Sequence, residues 1–287
     1  MRRYGVPLVF GCIAPHGSVI PGLAEAAKSP GTTAAMRALG ERMRAAQPDT
    51  VVVVTPHGVR VDGAVAISYS ERVAGDLTEP AAGGSKDSEI HVEFDVDRDF
   101  ARTLGESAPA NGVPVAMVHY GATSGPHDLY PLDWGGLVPL WFMGERFEPK
   151  PRVVVLVPSR ALSLETLAAF GRVIADAATA TESRVALIAS SDLSHAHQED
   201  GPYGYHPAAA ELDAWIEQSV KDGDLTRLLH PDMDLVSKAF PDGLWQIAFL
   251  TGATQRMPMT GEFLSYEVPT YYGMLCAAYT PARASAQ

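Results

Sequence analysis

The fold class predicted from the sequence is α/β: a single layered domain with a central mixed sheet flanked by helices, and a site at the C-terminal ends of its strands. Two patterns carry that expectation. Short apolar, β-branched runs alternate along the chain with amphipathic helical stretches. No Pro/Ser-rich linker, composition break or internal repeat divides the 287 residues, so one domain over residues 1–287 is expected. A composition of 46% hydrophobic and 20% charged residues is that of a globular chain with a sizeable core.

Taken in order, residues 6–13 are a continuous apolar run closed by Pro15, the pattern of a buried strand entering a loop. Residues 36–46 have helical composition, with Met36, Leu39 and Met43 on one face. Asp49 leads into a β-branched strand over 50–55 that stops at Pro56-His57-Gly58. Residues 65–69 make a third strand. Residues 74–88, rich in Gly, Ala, Ser and acidic groups, read as a mobile surface loop of lid-like composition. A helix is expected over 99–107 and a short strand over 114–119, whereas 123–136 is too dense in Gly, Pro and Asp for a regular element. Residues 152–158 form a strand, 164–180 a long helix, and 184–190 a strand opening into Ser191-Asp192-Leu193-Ser194-His195. Residues 207–221 are helical, with Leu212, Trp215, Ile216 and Val220 on one side. A helix over 243–251 and a strand over 271–279 close the chain.

The balance of 22 basic against 34 acidic residues, 22 − 34 = −12, excludes a basic nucleic-acid surface. No apolar stretch reaches the roughly 18 residues of a spanning helix. The N-terminal residues lack the apolar core of a secretory signal, so a cytoplasmic location is expected. Cys12 and Cys276, each in apolar surroundings, read as reduced core thiols. No Gly-x-Ser-x-Gly elbow, phosphate loop, dinucleotide fingerprint or His-Glu-x-x-His helix is present.

Chemistry enters with the histidines. His16, His57 and His195 each stand at or just beyond the end of an apolar strand, where open α/β sheets collect ligands. In Pro15-His16-Gly17 and Pro56-His57-Gly58 the proline ends the ladder and the glycine lets the backbone turn away. A lone loop histidine is ordinarily a surface residue, but two Pro-His-Gly tripeptides after two buried strands point to joint metal or catalytic use. Tyr203 to His206 either lines a pocket or simply turns into the next helix. His91 and His230 read as solvent-facing.

These motifs, with Ser191-Asp192-Leu193-Ser194-His195-Ala196-His197 and the terminal segment 264–274, resemble the class III extradiol ring-cleavage dioxygenases, the superfamily of the protocatechuate 4,5-dioxygenase catalytic subunit, to which Memo-like proteins are related. The likeness runs in order through nearly the full chain. It implies a 2-His-1-carboxylate Fe(II) site with His16 and His57 as histidine ligands. The carboxylate position falls on Asp242, where family members carry Glu and Memo-like relatives Cys; read alone, Asp242 is a helix N-cap. Glu267 is the fallback ligand. His195 matches the family's acid/base histidine. Trp134, in Leu132-Asp133-Trp134-Gly135, replaces a histidine of many relatives, leaving His119 or His127 to contact substrate. The implied reactants are a catechol-type diol and O2. The resemblance also implies a homo-oligomer and a small accessory subunit. Arg60 and Arg160 are possible anchors for a substrate carboxylate, and otherwise ordinary surface arginines. Two other readings stand beside this one. The first is a Memo-like metal-binding interaction or redox protein. The second is a zinc- or manganese-dependent hydrolase built on the same ligands.

Overall fold

The β-branched runs find each other because each can bury both faces only inside a sheet covered on both sides. The computed structural model of the chain describes residues 7–80 and 87–282. Its elements are β1 (Leu8–Ala14), α1 (Pro30–Ala46), β2 (Thr50–Val54), β3 (Val65–Ser68), β4 (Arg72–Pro80), β5 (Asp87–Asp95), α2 (Arg98–Ser107), β6 (Val115–Val118), β7 (Leu129–Pro131), α3 (Trp134–Phe142), β8 (Arg152–Pro158), α4 (Leu164–Ala180), β9 (Val185–Ser190), α5 (Ala208–Lys221), α6 (Met233–Ala239), α7 (Leu244–Arg256), β10 (Met259–Glu267) and β11 (Met274–Pro281).

Eight strands form one sheet in the order β10-β11-β1-β9-β2-β8-β3-β6. Strands β1, β9, β2 and β8 are mutually parallel, whereas β11 and β3 run antiparallel to their inner neighbours, so the sheet is mixed. Successive residues feed opposite cores, as a pleated strand requires. Val52, Val54, Leu187 and Ala189 pack toward α2, α4, α5 and α7. Val51, Val53, Ala186 and Ile188 pack toward α1, α3 and a small three-stranded sheet, β5-β4-β7. Helices α4 and α7 cross so closely that a Cβ at Gly171 would lie 1.9 Å from the Phe249 carbonyl oxygen, and one at Gly252 would lie 1.8 Å from that of Ala168. No helix among the described residues is long and apolar enough to cross a membrane.

Most expected elements are present, with shifted ends, and Val6 lies outside the described residues. Two readings need correction. The expected mobile loop at 74–88 is largely the antiparallel pair β4 and β5, with Val73, Val92 and Phe94 buried beneath it. Main-chain pairing across the hairpin outweighs the loop-like composition. Residues 81–86, and with them the Gly83-Gly84-Ser85-Lys86 run, lie outside the described residues. The stretch 123–136 contains β7 and begins α3, whose N-cap, Asp133, accepts from the Gly136 amide at 3.1 Å. The glycines that argued against a helix there occupy its first turn. Helix α6 and strand β10 were not expected from the sequence. Cys12 and Cys276 are both free and buried, as expected.

Candidate metal centre

Strands β1, β9 and β2 are adjacent and parallel, so their C-terminal ends open at one place. His16 follows β1, Asp192 and His195 follow β9, and His57 follows β2. Asp242 reaches the same point just ahead of α7. Its side chain does not cap that helix, whose N-cap is Gly243. Prolines end β1 and β2 as expected, and Gly17 and Gly58, where the chain turns away, do so without a left-handed backbone. They are needed for space: a Cβ at Gly17 would lie 2.4 Å from the Tyr272 hydroxyl, and one at Gly58 2.7 Å from Val157.

One ligand atom each from His16, His57 and Asp242 lies within 4.8 Å of the other two. His16 Nε2 is 3.1 Å from His57 Nε2 and 3.3 Å from Asp242 Oδ2, which is 3.5 Å from His57 Nε2. The tautomer of His16 follows from a chain of bonds that starts in α3. Pro139 has no N–H to offer the carbonyl four residues back, so that of Gly135 is left without its helical donor. Ser190 Oγ donates to this oxygen at 2.5 Å. The serine's only proton is thereby committed, and at 3.0 Å its oxygen accepts from His16 Nδ1. A neutral His16 must then turn an Nε2 lone pair toward His57 and Asp242. Neither Asp242 oxygen has a hydrogen-bond partner, although the residue is only 4% exposed. A buried carboxylate without hydrogen-bond partners is costly unless a cation sits beside it. Two imidazoles and one carboxylate fit a divalent transition metal with open coordination positions.

The electrostatics point the same way. Burial would lower the His16 pKa, but Asp192 and Asp242 push it up to about 9. Burial would raise the Asp242 carboxyl, yet the His16 and His57 imidazoles hold it well below the usual carboxylate range. Asp192, 4% exposed, is pushed up by burial. It accepts from the His16 backbone N–H at 3.0 Å, with its other oxygen 3.3 Å from His16 Nε2.

Above the triad lies a cavity of about 800 Å³ lined by His16, His57, Asp192 and His195, by Trp134, Tyr203, Tyr271 and Tyr272, and by Glu25 and Glu79. His57 stacks on Trp134 at 4.2 Å. His195 stacks on Tyr272 at 5.5 Å, and its Nδ1 lies 2.8 Å from the Leu193 carbonyl. That carbonyl can only accept, so Nδ1 carries the proton and the neutral ring keeps Nε2 as an acceptor. The segment bearing His195 is held from behind by the buried Asp213, which accepts from the Ser194 amide at 3.0 Å, His197 Nε2 at 2.9 Å and the Tyr266 hydroxyl at 2.7 Å.

The structure thus brings together His16, His57, Asp242 and His195. It does not bring the weaker candidates to them. His119 lies against Asp128 at 3.4 Å and Tyr69 at 5.3 Å, and His127 is exposed; neither lines the cavity. Glu267 accepts from the amides of Gly31 and Thr32, at 3.2 and 2.6 Å, so its carboxylate caps α1 and is not a fallback ligand. Arg60 donates to the Pro56 carbonyl and Arg160 stacks on Trp245, so neither is a cavity anchor. His91 and His230 are exposed, as expected. The sequence reading missed Ser190, Asp192, Glu25 and Glu79. Asp192 had a signal, since it sits in the same motif as His195; the others had none.

Residues 11–277 match the family model described as the catalytic LigB subunit of aromatic ring-opening dioxygenase. Protein CA_C1420 of Clostridium acetobutylicum is 29% identical over 258 residues, 89% of this chain. The chain spans about half, 54%, of that relative's length. The crystal structure of the uncharacterized protein JW3007 from Escherichia coli K12 superposes with a TM-score of 0.58 over 94% of this chain and 99% of that one, at 15% identity, a likeness of fold.

Proposed function

We propose, from the premise that the chain belongs to the family of the catalytic LigB subunit of aromatic ring-opening dioxygenases, that it is a non-haem Fe(II) extradiol dioxygenase. Its substrate is a catechol-type diol, opened beside the two hydroxyls with both atoms of O2 entering the product. The observation that carries this reading is the convergence of His16, His57 and Asp242, with both oxygens of the buried Asp242 left without a hydrogen-bond partner, at the floor of the cavity that also holds His195.

His16 and His57 through Nε2, and Asp242 through its carboxylate, would hold the iron. When bound, Fe(II) supplies the one-electron chemistry that lets O2 react with an electron-rich ring. The remaining work falls to the chain. His195, with Nδ1–H tied to Leu193, takes a substrate hydroxyl proton on Nε2 and later returns it to an oxygen atom supplied by O2 as the O–O bond breaks. Trp134, Tyr271 and Tyr272 supply flat walls that orient an aromatic ring and displace water. Asp192 fixes the backbone of His16, and Ser190 fixes its tautomer.

The test is oxygen uptake by Fe(II)-loaded protein with a panel of catechols, followed together with loss of the aromatic absorbance. The expected result is one O2 consumed per ring opened, with His195→Ala keeping its iron and losing about 10²–10⁴-fold in turnover. Turnover without oxygen uptake would favour the metal-dependent hydrolase. Full turnover in His195→Ala would remove that histidine from the chemistry.

A further inference from the structure

We infer that the cavity selects an aromatic diol whose ring substituent carries a protonated amine, and selects against ring substituents that end in a carboxylate. This rests on the reading above and adds the charge of the substrate to it.

The charged side chains among the described residues lining the cavity, apart from its histidines, are all acidic: Glu25, Glu79 and Asp192. Asp192 belongs to the floor, whereas Glu25 and Glu79 are half-buried residues of the wall. Glu25 Oε1 accepts from the Tyr272 hydroxyl at 2.5 Å, which orients the carboxylate, and no Arg or Lys among the described residues pairs with Glu25. Tyr272 in turn stacks on His195, so the acidic group is tied to the ring beside which a substrate hydroxyl would lie. Tyr203 and Tyr271 flank the same histidine at 5.6 and 5.8 Å, and aromatic faces attract cations. Neither nearby arginine lines the cavity: Arg60 donates to the Pro56 carbonyl, and Arg160, which feels the charge of Asp242, stacks on Trp245 behind the floor and not on the wall that carries Glu25 and Glu79. An anionic substituent reaching this wall, away from the metal ligands, would therefore lie beside like charges with no Lys or Arg lining it, while an ammonium gains Glu25, Glu79 and the tyrosine faces.

The experiment is calorimetric titration of the metal-loaded protein under argon with two matched pairs. The first is 4-(2-aminoethyl)catechol against 3-(3,4-dihydroxyphenyl)propanoate. The second, without the diol, is 2-phenylethylamine against 3-phenylpropanoate. The amine of each pair is expected to bind at least about tenfold more tightly. That preference should shrink at high salt and approach unity in the Glu25→Gln/Glu79→Gln double variant. Equal or tighter binding of the acids overturns the inference, as does an amine preference unchanged by the double variant. The two proposals fail separately: amine preference without ring opening removes the dioxygenase, and ring opening with acid preference removes the charge selection.

Discussion

Ser190 decides which nitrogen of His16 carries a proton, and it can do so only because Pro139 withholds a helical donor from Gly135. Removing the hydroxyl with Ser190→Ala should weaken metal binding about 10–100-fold while leaving all three ligands in place, measured by competition with a chromophoric chelator. Asp242→Asn removes the only anionic ligand of the triad, and its metal content after dialysis should fall well below one per chain. Protons compete for the same atoms. His16 in the metal-free protein holds its proton up to about pH 9, so lowering the pH from 9 toward 7 should weaken metal binding, by at most about tenfold per pH unit for one displaced proton. Affinity that is flat over this range would show that His16 of the metal-free site carries no proton for the metal to displace. Of these residues, His16, His57 and His195 were legible from sequence because a histidine just past a buried strand has few structural uses. Ser190 and Glu25 were not, since their partners His16 and Tyr272 lie 174 and 247 positions away.

At the scale of elements, local pattern failed where a tertiary bond replaced a local one. Helix α3 has two glycines and an internal proline, yet it forms on the Asp133 cap and on burial of Leu137, Val138 and Leu140. The β4–β5 pair likewise draws its order from cross-strand partners, and it delivers Leu77 and Glu79 to the cavity. The corrected place of Glu267 makes a prediction that separates a cap from a ligand. Glu267→Gln should cost about 1 kcal/mol through the N-terminus of α1, read by urea unfolding, with metal content unchanged. At the α4–α7 crossing, Gly252→Ala should cost about 2–3 kcal/mol or more, because the added methyl meets backbone and not a movable side chain. A thermal midpoint within a degree of the parent would contradict that close approach. Long regular elements such as α4, read from sequence as 164–180, were legible because periodicity and packing agree there.

Over the whole molecule, the order of strands turns scattered motifs into a site. His16 and His57 are 41 residues apart in sequence and meet because β9 lies between β1 and β2, all three parallel. Strand order cannot be read from one sequence, so convergence of the three histidines remained an expectation until the fold supplied it. The acidic balance of the chain, −12, is matched inside the cavity, which places charge selection and overall charge on the same side. His16, His57 and Asp242 are proposed to hold an iron with positions left open for substrate and O2. Nitric oxide, an analogue of O2 that does not turn over, tests this proposal directly when added anaerobically to Fe(II)-loaded protein and read by electron paramagnetic resonance. The expected result is a high-spin iron–nitrosyl signal that changes when a catechol is added and is lost in Asp242→Asn. Iron that binds weakly or gives no nitrosyl signal, or a signal that survives in Asp242→Asn and ignores every catechol, would contradict it.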